Sequence, residues 1–254
     1  MGVVGSVRHV ERRGPLMEGA LTIPGWAQGR PGLGQGGYSA ARFAQAVGEP
    51  VVIDLRAPIP LERTLEVATV DGGWELRDGA TVIMQAQARA AGGLPRTDPV
   101  AVPDAAEAMS RFPGRDGEHE AVECFSCGLR ERTMGVWPGP LADGSGRVAA
   151  RWTPPPWVGD EHGLLDDAVA WTAMDCAQGF FVGYAPQRRR ALTVRYRAEV
   201  YEPIRVGERY AIVGFDGEGS GWQGRKRAAA ANVFAADGRL VAAAASLWVE
   251  PRSS

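Results

Sequence analysis

Hydrophobic and polar positions alternate in short segments that form two groups, one in each half of the chain. In the segment 51–57, for example, Val51, Ile53 and Leu55 share one face, as the inward residues of a β-strand do. The predicted strands of the first group cover residues 51–57, 64–70, 74–76 and 80–88. Those of the second group cover residues 191–201, 208–215, 227–235 and 240–249. An Asp-Gly turn precedes the last strand of each group, so both groups end in a predicted hairpin.

A predicted helix precedes each group of strands. The first covers residues 37–48, which are small and helix-compatible, with Gly36 and Gly37 at its start and Gly48 at its end. The second covers residues 164–182 and is apolar on nearly every side. Since a helix of that composition is usually enclosed, we expect other elements to surround it.

The order of one helix followed by strands therefore occurs twice, which indicates an internal repeat. Similar segments at 58–63 and 203–209 separate the first two strands of each half, and the closing hairpins at 77–88 and 236–247 also match. Residues 91–120 are rich in Gly, Pro and Asp, as linkers are. The predicted organisation is an N-terminal half at 1–90, a linker at 91–120 and a C-terminal half at 121–254.

Composition narrows the function classes. A chain of 254 residues suits one large domain or a fused pair. The net charge of −2 excludes binding of nucleic acid or anionic lipid by bulk charge, and no stretch of about 18 apolar residues is available to cross a bilayer. No secretory signal is visible, and an odd count of three cysteines fits a reducing compartment. We therefore expect a cytoplasmic protein with no nucleic-acid or membrane partner.

Three segments carry a family resemblance in addition to the repeat: the pair Gly36 and Gly37, the stretch AWTAMD at 170–175, and the stretch CFSCG at 124–128. With them the chain resembles the bacterial thioesterase-like hotdog superfamily, including its PaaI-type branch and its fused, acyl-CoA thioesterase II-like members. The resemblance implies an α+β double hotdog, in which two curved antiparallel sheets each wrap a central helix. It also implies hydrolysis of a thioester of coenzyme A or of an acyl-carrier protein, with coenzyme A as part of the substrate and no cofactor.

The sequence departs from both branches. In PaaI-type sequences the glycine pair precedes an acidic residue on the same helix by about two turns. Here the residue two turns after Gly37 is Ala44, and the acid, Asp175, lies on the second helix. One half has thus kept the glycines and the other the carboxylate, as expected if one of two ancestral sites remains in use. The positions that correspond to the catalytic set of the thioesterase II-like enzymes hold Arg195 and Ser246, so that set is not retained.

Asp175 is the candidate catalytic residue. A carboxylate in the middle of an apolar helix must be hydrogen-bonded or reach solvent. Thr172 at i−3 and Gln178 at i+3 extend it to a polar stripe, which must face a cavity, a partner subunit or water. The stripe is either a satisfied structural network or a site where Asp175 acts as general base or nucleophile on a thioester, with Thr172 and Gln178 orienting water or substrate.

Other candidates would bind the substrate. Backbone N–H groups at Gly36 and Gly37 could hold the developing oxyanion, although an ordinary turn before a helix has the same sequence. His162 could polarise a carbonyl or simply lie in an exposed loop. The cluster Arg188, Arg189 and Arg190 could meet the phosphates of coenzyme A or belong to a solvated loop.

The pair Cys124 and Cys127 invites a metal interpretation, with His119, His162 or Cys176 as further ligands. A structural zinc site normally shows a second closely spaced pair, and the sequence has none, so no metal is predicted.

Two alternatives to hydrolysis stay open. A non-catalytic acyl-CoA-binding protein would fit a chain that only partly matches the two known layouts. A dehydratase or hydratase acting on 3-hydroxyacyl thioesters would need a histidine on the helix, which the sequence lacks. The sequence also leaves open a homodimer of double hotdogs.

Overall fold

The computed structural model describes residues 19–116, 119–184, 189–219 and 221–252. Its α-helices are α1 (Gly36–Val47), α2 (Val102–Ser110) and α3 (Asp167–Tyr184). The strands of the first half are β1 (Gly19–Thr22), β2 (Val51–Leu55), β3 (Thr64–Val70), β4 (Gly73–Asp78) and β5 (Thr81–Ala88). The remaining strands are β6 (Gly139–Pro140), β7 (Val148–Trp152), β8 (Leu192–Val200), β9 (Tyr210–Asp216), β10 (Trp222–Gln223), β11 (Lys226–Ala235) and β12 (Leu240–Val249).

Each half repeats the same arrangement, because the strand order of one half mirrors that of the other. Antiparallel pairing gives the order β1-β3-β4-β5-β2 in the first half and β8-β12-β11-β9-β7-β6 in the second, with β10 paired to β11. The predicted strands and both predicted helices are present with shifts of a few residues at their ends. The internal repeat read from the sequence is therefore a repeat of structure.

The two halves share one continuous sheet, in which the curved sheet of each half joins the other edge to edge. Strands β2 and β8 pair antiparallel at the centre, where Ile53 faces Tyr196 and Asp54 faces Arg195. The pairing satisfies backbone groups that would otherwise lie on the open edge of each half. The large antiparallel sheet of twelve strands thus extends outward from a junction between the halves.

Helix α3 lies against the second half of the sheet and contacts β7, β8, β9, β11 and β12. Small residues on the inner strands allow close approach: a Cβ on Gly214 in β9 would lie 2.5 Å from the Ala177 carbonyl oxygen of α3. Helix α1 packs against α3 in the opposite direction, since its first turn meets the middle of α3 and Gln45 near its end binds Asp166 just before α3. Among the described helices, none is both long and apolar enough to span a bilayer.

The segment interpreted as a linker contains the unpredicted helix α2. Ala105 and Ala108 on α2 are fully buried and form a small apolar cluster with β7 and β9 of the second half. Residues 91–120 are therefore not extended throughout, because two small residues one turn apart give this stretch a face that packs. The division into an N-terminal and a C-terminal domain stays a prediction, and residues 1–18 of the first half lie outside the described residues.

An ion pair reinforces the junction between the halves. The guanidinium of Arg195 donates to both carboxylate oxygens of Asp54, at 2.6 and 3.0 Å, and Arg56 donates to the same carboxylate at 2.8 Å. The hydrogen bond from Arg195 lowers the pKa of Asp54. Arg195, noted in the sequence as a departure from the thioesterase II-like pattern, thus makes a structural contact here.

We expect Asp54→Asn to lower the free energy of unfolding by about 1 kcal/mol at pH 7, because a partly exposed bidentate pair contributes little more. A carboxyl whose pKa is lowered by folding stabilises the fold above its unfolded pKa and loses that contribution as the pH falls. Urea unfolding should therefore show a difference between wild type and variant that shrinks below about pH 4. The matched control is Asp71→Asn, at an exposed turn residue, and a pH-independent difference for Asp54→Asn would contradict the prediction.

Candidate functional site

The first turn of α1 holds the carboxylate of Asp175, which lies in the middle of α3. The Gln35 side chain donates from Nε2 to Asp175 Oδ2 at 2.6 Å, and the Gly37 N–H donates to the same oxygen at 3.2 Å. Thr193 at the start of β8 donates its hydroxyl to Oδ1 at 3.1 Å. Gln35 is also the N-cap of α1, since its Oε1 accepts the Tyr38 N–H at 2.7 Å. The glycine pair of one half and the acid of the other therefore form one site.

Gly37 permits this contact because it has no side chain. A Cβ at this position would lie 2.7 Å from the Asp175 Cβ and 2.8 Å from the Trp171 carbonyl oxygen. Both distances are shorter than any van der Waals contact. At Gly36 the nearest atoms, in Asp175 and Leu55, would be 3.4 Å from an added Cβ, which is ordinary contact. The requirement for glycine is therefore stricter at the second position of the pair.

The environment of Asp175 sets its protonation. Burial raises the pKa of this carboxyl to about 6, and the hydrogen bonds from Thr193, Gly37 and Gln35 oppose the rise. The N-terminus of α1 adds a partial positive charge that favours the anion. A carboxyl with a pKa of about 6 is mostly ionised at neutral pH and is still basic enough to accept a proton.

Asp175 lines a cavity of about 800 Å³. Apolar side chains of both halves, among them Leu55, Ile59 and Phe180, form much of its wall. Arg30, Glu120 and Arg190 also line it, and Glu120 bridges them through an ion pair to Arg30 at 3.2 Å and another to Arg190. The cavity thus combines an apolar wall, a buried carboxylate and exposed cations.

Gly36, the first residue of α1, also lines the cavity. The backbone N–H of Gly36 makes no hydrogen bond to any residue that the structure describes. The first N–H groups of a helix have no partner within the helix and point outward along its axis. This N–H is therefore available to a ligand oxygen next to Asp175.

Three cysteines converge beside Asp175. Cys124 and Cys127 lie in a turn at the start of the C-terminal half, and Cys176 follows Asp175 on α3; their Sγ atoms lie within 4.8 Å of one another. All three residues are buried and line the cavity. Hydrogen bonds from Cys127 and Cys176 lower the pKa of the Cys124 thiol, and the contacts with Cys124 raise the pKa of the other two thiols.

His119 lines the cavity near this cluster. Its Nε2 lies 3.0 Å from the Cys127 carbonyl oxygen, and its ring packs against Phe112 and Phe180. Burial lowers the pKa of His119, which favours the neutral imidazole.

The predicted polar stripe does not face the cavity as a unit. Thr172 is buried and donates its hydroxyl to the Ala168 carbonyl oxygen at 2.7 Å, one turn back in its own helix. Gln178 is also buried, and its amide finds no hydrogen-bond partner among the described residues. On a helix, the side chains three positions before and three positions after a residue point about 60° to either side of that residue's own side chain. Only Asp175 of the three therefore reaches the cavity, and an orienting role for the other two has no geometric support.

The predicted substrate-binding residues differ in whether they line the cavity. His162 is exposed in the loop before α3, with its Nε2 3.6 Å from the neighbouring Glu161 carboxylate, and it does not line the cavity. Arg188 lies outside the described residues. Arg189 lines the cavity, but its guanidinium lies over the Trp222 ring and donates to Glu250 at 3.2 Å. Arg190 pairs with Glu120 and is largely exposed.

Sequence reasoning missed Gln35 and Thr193. Gln35 directly precedes the glycine pair, so its N-cap position was a usable signal. Thr193 had no such signal, because its contact depends on how β8 passes the middle of α3.

The pseudo-symmetric second site lacks the same chemistry. Where α3 begins, Asp166 caps the helix through the Ala168 N–H at 2.8 Å and also accepts the Gln45 amide of α1 at 2.7 Å. The place of Asp175 on α1 is taken by Ala44. Side chains of the chain itself thus occupy this helix N-terminus, and the helix opposite it carries Ala44 in place of an acid.

The sequence matches no protein-family model and no curated protein. Solved structures do match. The tesB protein of Mycobacterium avium subsp. paratuberculosis is 12% identical, with a TM-score of 0.55 over 96% of this chain and 95% of that chain. A candidate thioesterase from Novosphingobium aromaticivorans is 14% identical, with a TM-score of 0.54 over 94% and 98% of the two chains.

A third match, a protein of the thioesterase superfamily, is 19% identical with a TM-score of 0.39, and the alignment spans 44% of this chain and about half, 52%, of that one. The two full-length matches show that the chain has the thioesterase-like hotdog fold, so the resemblance noted in the sequence is confirmed at the level of fold.

We expect Gly37→Ala to destabilise the protein by about 2 kcal/mol relative to Gly36→Ala, because the new methyl group overlaps Asp175 and the backbone of α3. Both substitutions gain the same helix propensity, so the difference between the free energies of unfolding of the two variants isolates the contact between the helices. Urea unfolding of the two variants measures it, and equal stabilities would show that α1 and α3 are not in this close contact.

Proposed function

We propose that the chain hydrolyses an acyl thioester, with Asp175 as the general base for an attacking water. The observation that carries the proposal is the convergence of a buried carboxylate and a free helix N-terminal N–H at the wall of one large cavity. The fold supports the same reaction class, because both full-length structural matches are described as tesB or thioesterase proteins. Neither match is close enough in sequence to transfer activity by itself.

The carboxylate has a defined place for the water. Oδ2 is occupied by Gln35 and Gly37, whereas Oδ1 accepts one hydrogen bond, from Thr193, and keeps a free lone pair. A water bound there transfers a proton to Asp175 as its oxygen attacks the thioester carbonyl carbon. The C–S bond then breaks, and the departing sulfur takes up the proton to leave as a thiol beside the free acid.

The Gly36 N–H stabilises the charge that forms on the carbonyl oxygen. Negative charge develops there in the tetrahedral intermediate, and a backbone donor fixed at a helix N-terminus requires no reorganisation to meet it. Gln35 and Thr193 position the carboxylate.

The cavity suggests the substrate. A volume of about 800 Å³ with a largely apolar wall fits an acyl chain with part of its carrier arm. Arg190 at the cavity can meet a phosphate of coenzyme A or of the phosphopantetheine arm of a carrier protein, with release of its partner Glu120. No cofactor takes part in these steps. A cytoplasmic location and pairing of two chains stay predictions.

We expect Asp175→Asn to lower kcat for thiol release from acyl-CoA substrates by at least about 100-fold, because the amide cannot accept the proton. The measurement is colorimetric detection of free thiol over a panel of acyl chain lengths. Asp167→Asn is the matched control, since Asp167 lies in the first turn of the same helix but outside the cavity wall.

Two outcomes would contradict this assignment. Equal turnover by wild type and Asp175→Asn would exclude Asp175 as the base. Tight binding of acyl-CoA by both proteins without thiol release would favour the non-catalytic acyl-CoA-binding alternative.

We expect Arg190→Gln to raise KM for an acyl-CoA about tenfold, the loss typical of one charge-assisted hydrogen bond. A short thioester of N-acetylcysteamine has no phosphate, so its KM should not change. Arg151→Gln, at an exposed residue of β7 outside the cavity wall, is the control. Equal effects of Arg190→Gln on the two substrates would contradict a phosphate contact.

A further inference from the structure

Cys124, Cys127 and Cys176 form a group whose geometry is that of a metal site. The Sγ atoms of Cys124 and Cys176 are 3.9 Å apart, and all three lie within 4.8 Å of one another. A tetrahedral zinc ion with Zn–S bonds of about 2.3 Å requires sulfur atoms about 3.8 Å apart. The three thiols therefore need only a small contraction to become three corners of a tetrahedron.

The turn that carries the first two cysteines is fixed by its backbone. The Gly128 N–H donates to the Cys124 carbonyl oxygen at 2.8 Å, and a Cβ on Gly128 would lie 2.3 Å from that oxygen. On the other side of the turn, Met134 donates its N–H to the Phe125 carbonyl oxygen at 2.8 Å. The turn thus presents both sulfur atoms before any ligand arrives.

Donors around the cluster suit thiolate ligands. The Ser126 N–H points at the Cys124 sulfur at 3.4 Å, and the Gln35 side-chain amide lies 3.9 Å from the Cys176 sulfur. N–H groups directed at sulfur stabilise the deprotonated form and orient metal ligands.

We propose that Cys124, Cys127 and Cys176 bind one zinc ion, with its fourth coordination position open to the cavity. Thiolates are soft ligands that favour zinc among the common divalent ions, and three protein ligands with an accessible fourth position are typical of zinc centres that bind water or substrate. The cavity also supplies the entry path. Binding requires all three sulfur atoms as thiolates and displaces the protons that they carry, so three thiolates and one Zn²⁺ give a complex of net charge −1.

The site joins parts of the chain that are 49 or more positions apart in sequence, since Cys127 lies at the start of the C-terminal half and Cys176 lies on α3. Zinc would therefore tie the turn that carries Cys124 and Cys127 to the helix that carries Asp175. This inference is independent of the proposed function, because it can hold in a protein that hydrolyses nothing.

The test measures metal rather than activity. The full chain is purified under reducing conditions, and its zinc content is determined by inductively coupled plasma mass spectrometry. The metal-free protein is then titrated with Co²⁺, whose thiolate charge-transfer absorption reports sulfur ligation, and with Zn²⁺ against a chromogenic chelator. We expect one metal per chain and a rise of the Tm on the order of 5 °C at a hundredfold excess of free Zn²⁺ over Kd.

Variants locate the ligands. Cys176→Ser should weaken zinc binding by more than the roughly 100-fold that outer-sphere partners contribute, and should reduce the charge-transfer band. Ser126→Ala is the matched control, because Ser126 lies in the same turn and its buried hydroxyl has no partner among the described residues. It should bind zinc as the wild type does.

Three results would overturn the proposal. These are absence of stoichiometric zinc and of a cobalt charge-transfer band in folded wild-type protein, an unchanged band in Cys176→Ser, or an intact mass that shows a disulfide in place of two of the thiols under the reducing conditions. The wild-type titrations decide the first point even if Cys176→Ser fails to fold.

Discussion

The contact between the N-terminus of α1 and the carboxylate of Asp175 is the constraint on which the site depends. An anion buried on an apolar helix is costly without compensation. Gln35, Gly37 and Thr193 supply three hydrogen bonds, and the absence of a side chain at Gly37 lets the helices approach closely enough to make them. The carboxylate in turn satisfies the first turn of α1, so the functional group and the packing of the two central helices stabilise each other.

The same contact explains why only one of the two related positions has the arrangement that we propose for catalysis. Antiparallel packing of α1 and α3 brings the N-terminus of α1 to the middle of α3, and the N-terminus of α3 to the last turn of α1. At one crossing a glycine N-terminus meets Asp175, whereas at the other Asp166 caps α3 and Ala44 replaces the acid. The split of the glycine pair and the acid between the halves, which looks like a departure in the sequence, is therefore what a single composite site requires.

The periodic patterns predicted most of the fold, because the local spacing of hydrophobic residues distinguishes strands from enclosed helices. They also pointed to Asp175, since a lone acid in α3 is conspicuous. They could not show that β2 and β8 join the halves into one sheet or that Cys176 meets Cys124 and Cys127, because those contacts depend on tertiary packing between distant segments. Thr172 and Gln178 were expected to face the cavity with Asp175 and do not, for a related reason. Spacing along a helix predicts the direction in which a side chain points, but not which element lies opposite it.

The proposed site is tested most directly by a crystal structure of Asp175→Asn with an acyl-CoA analogue in which a methylene group replaces the thioester sulfur. We expect the acyl chain inside the cavity, with the carbonyl oxygen at the Gly36 N–H and the carbonyl carbon within reach of the residue 175 side chain through one water. An acyl group bound elsewhere, or a carbonyl that faces away from the N-terminus of α1, would contradict it.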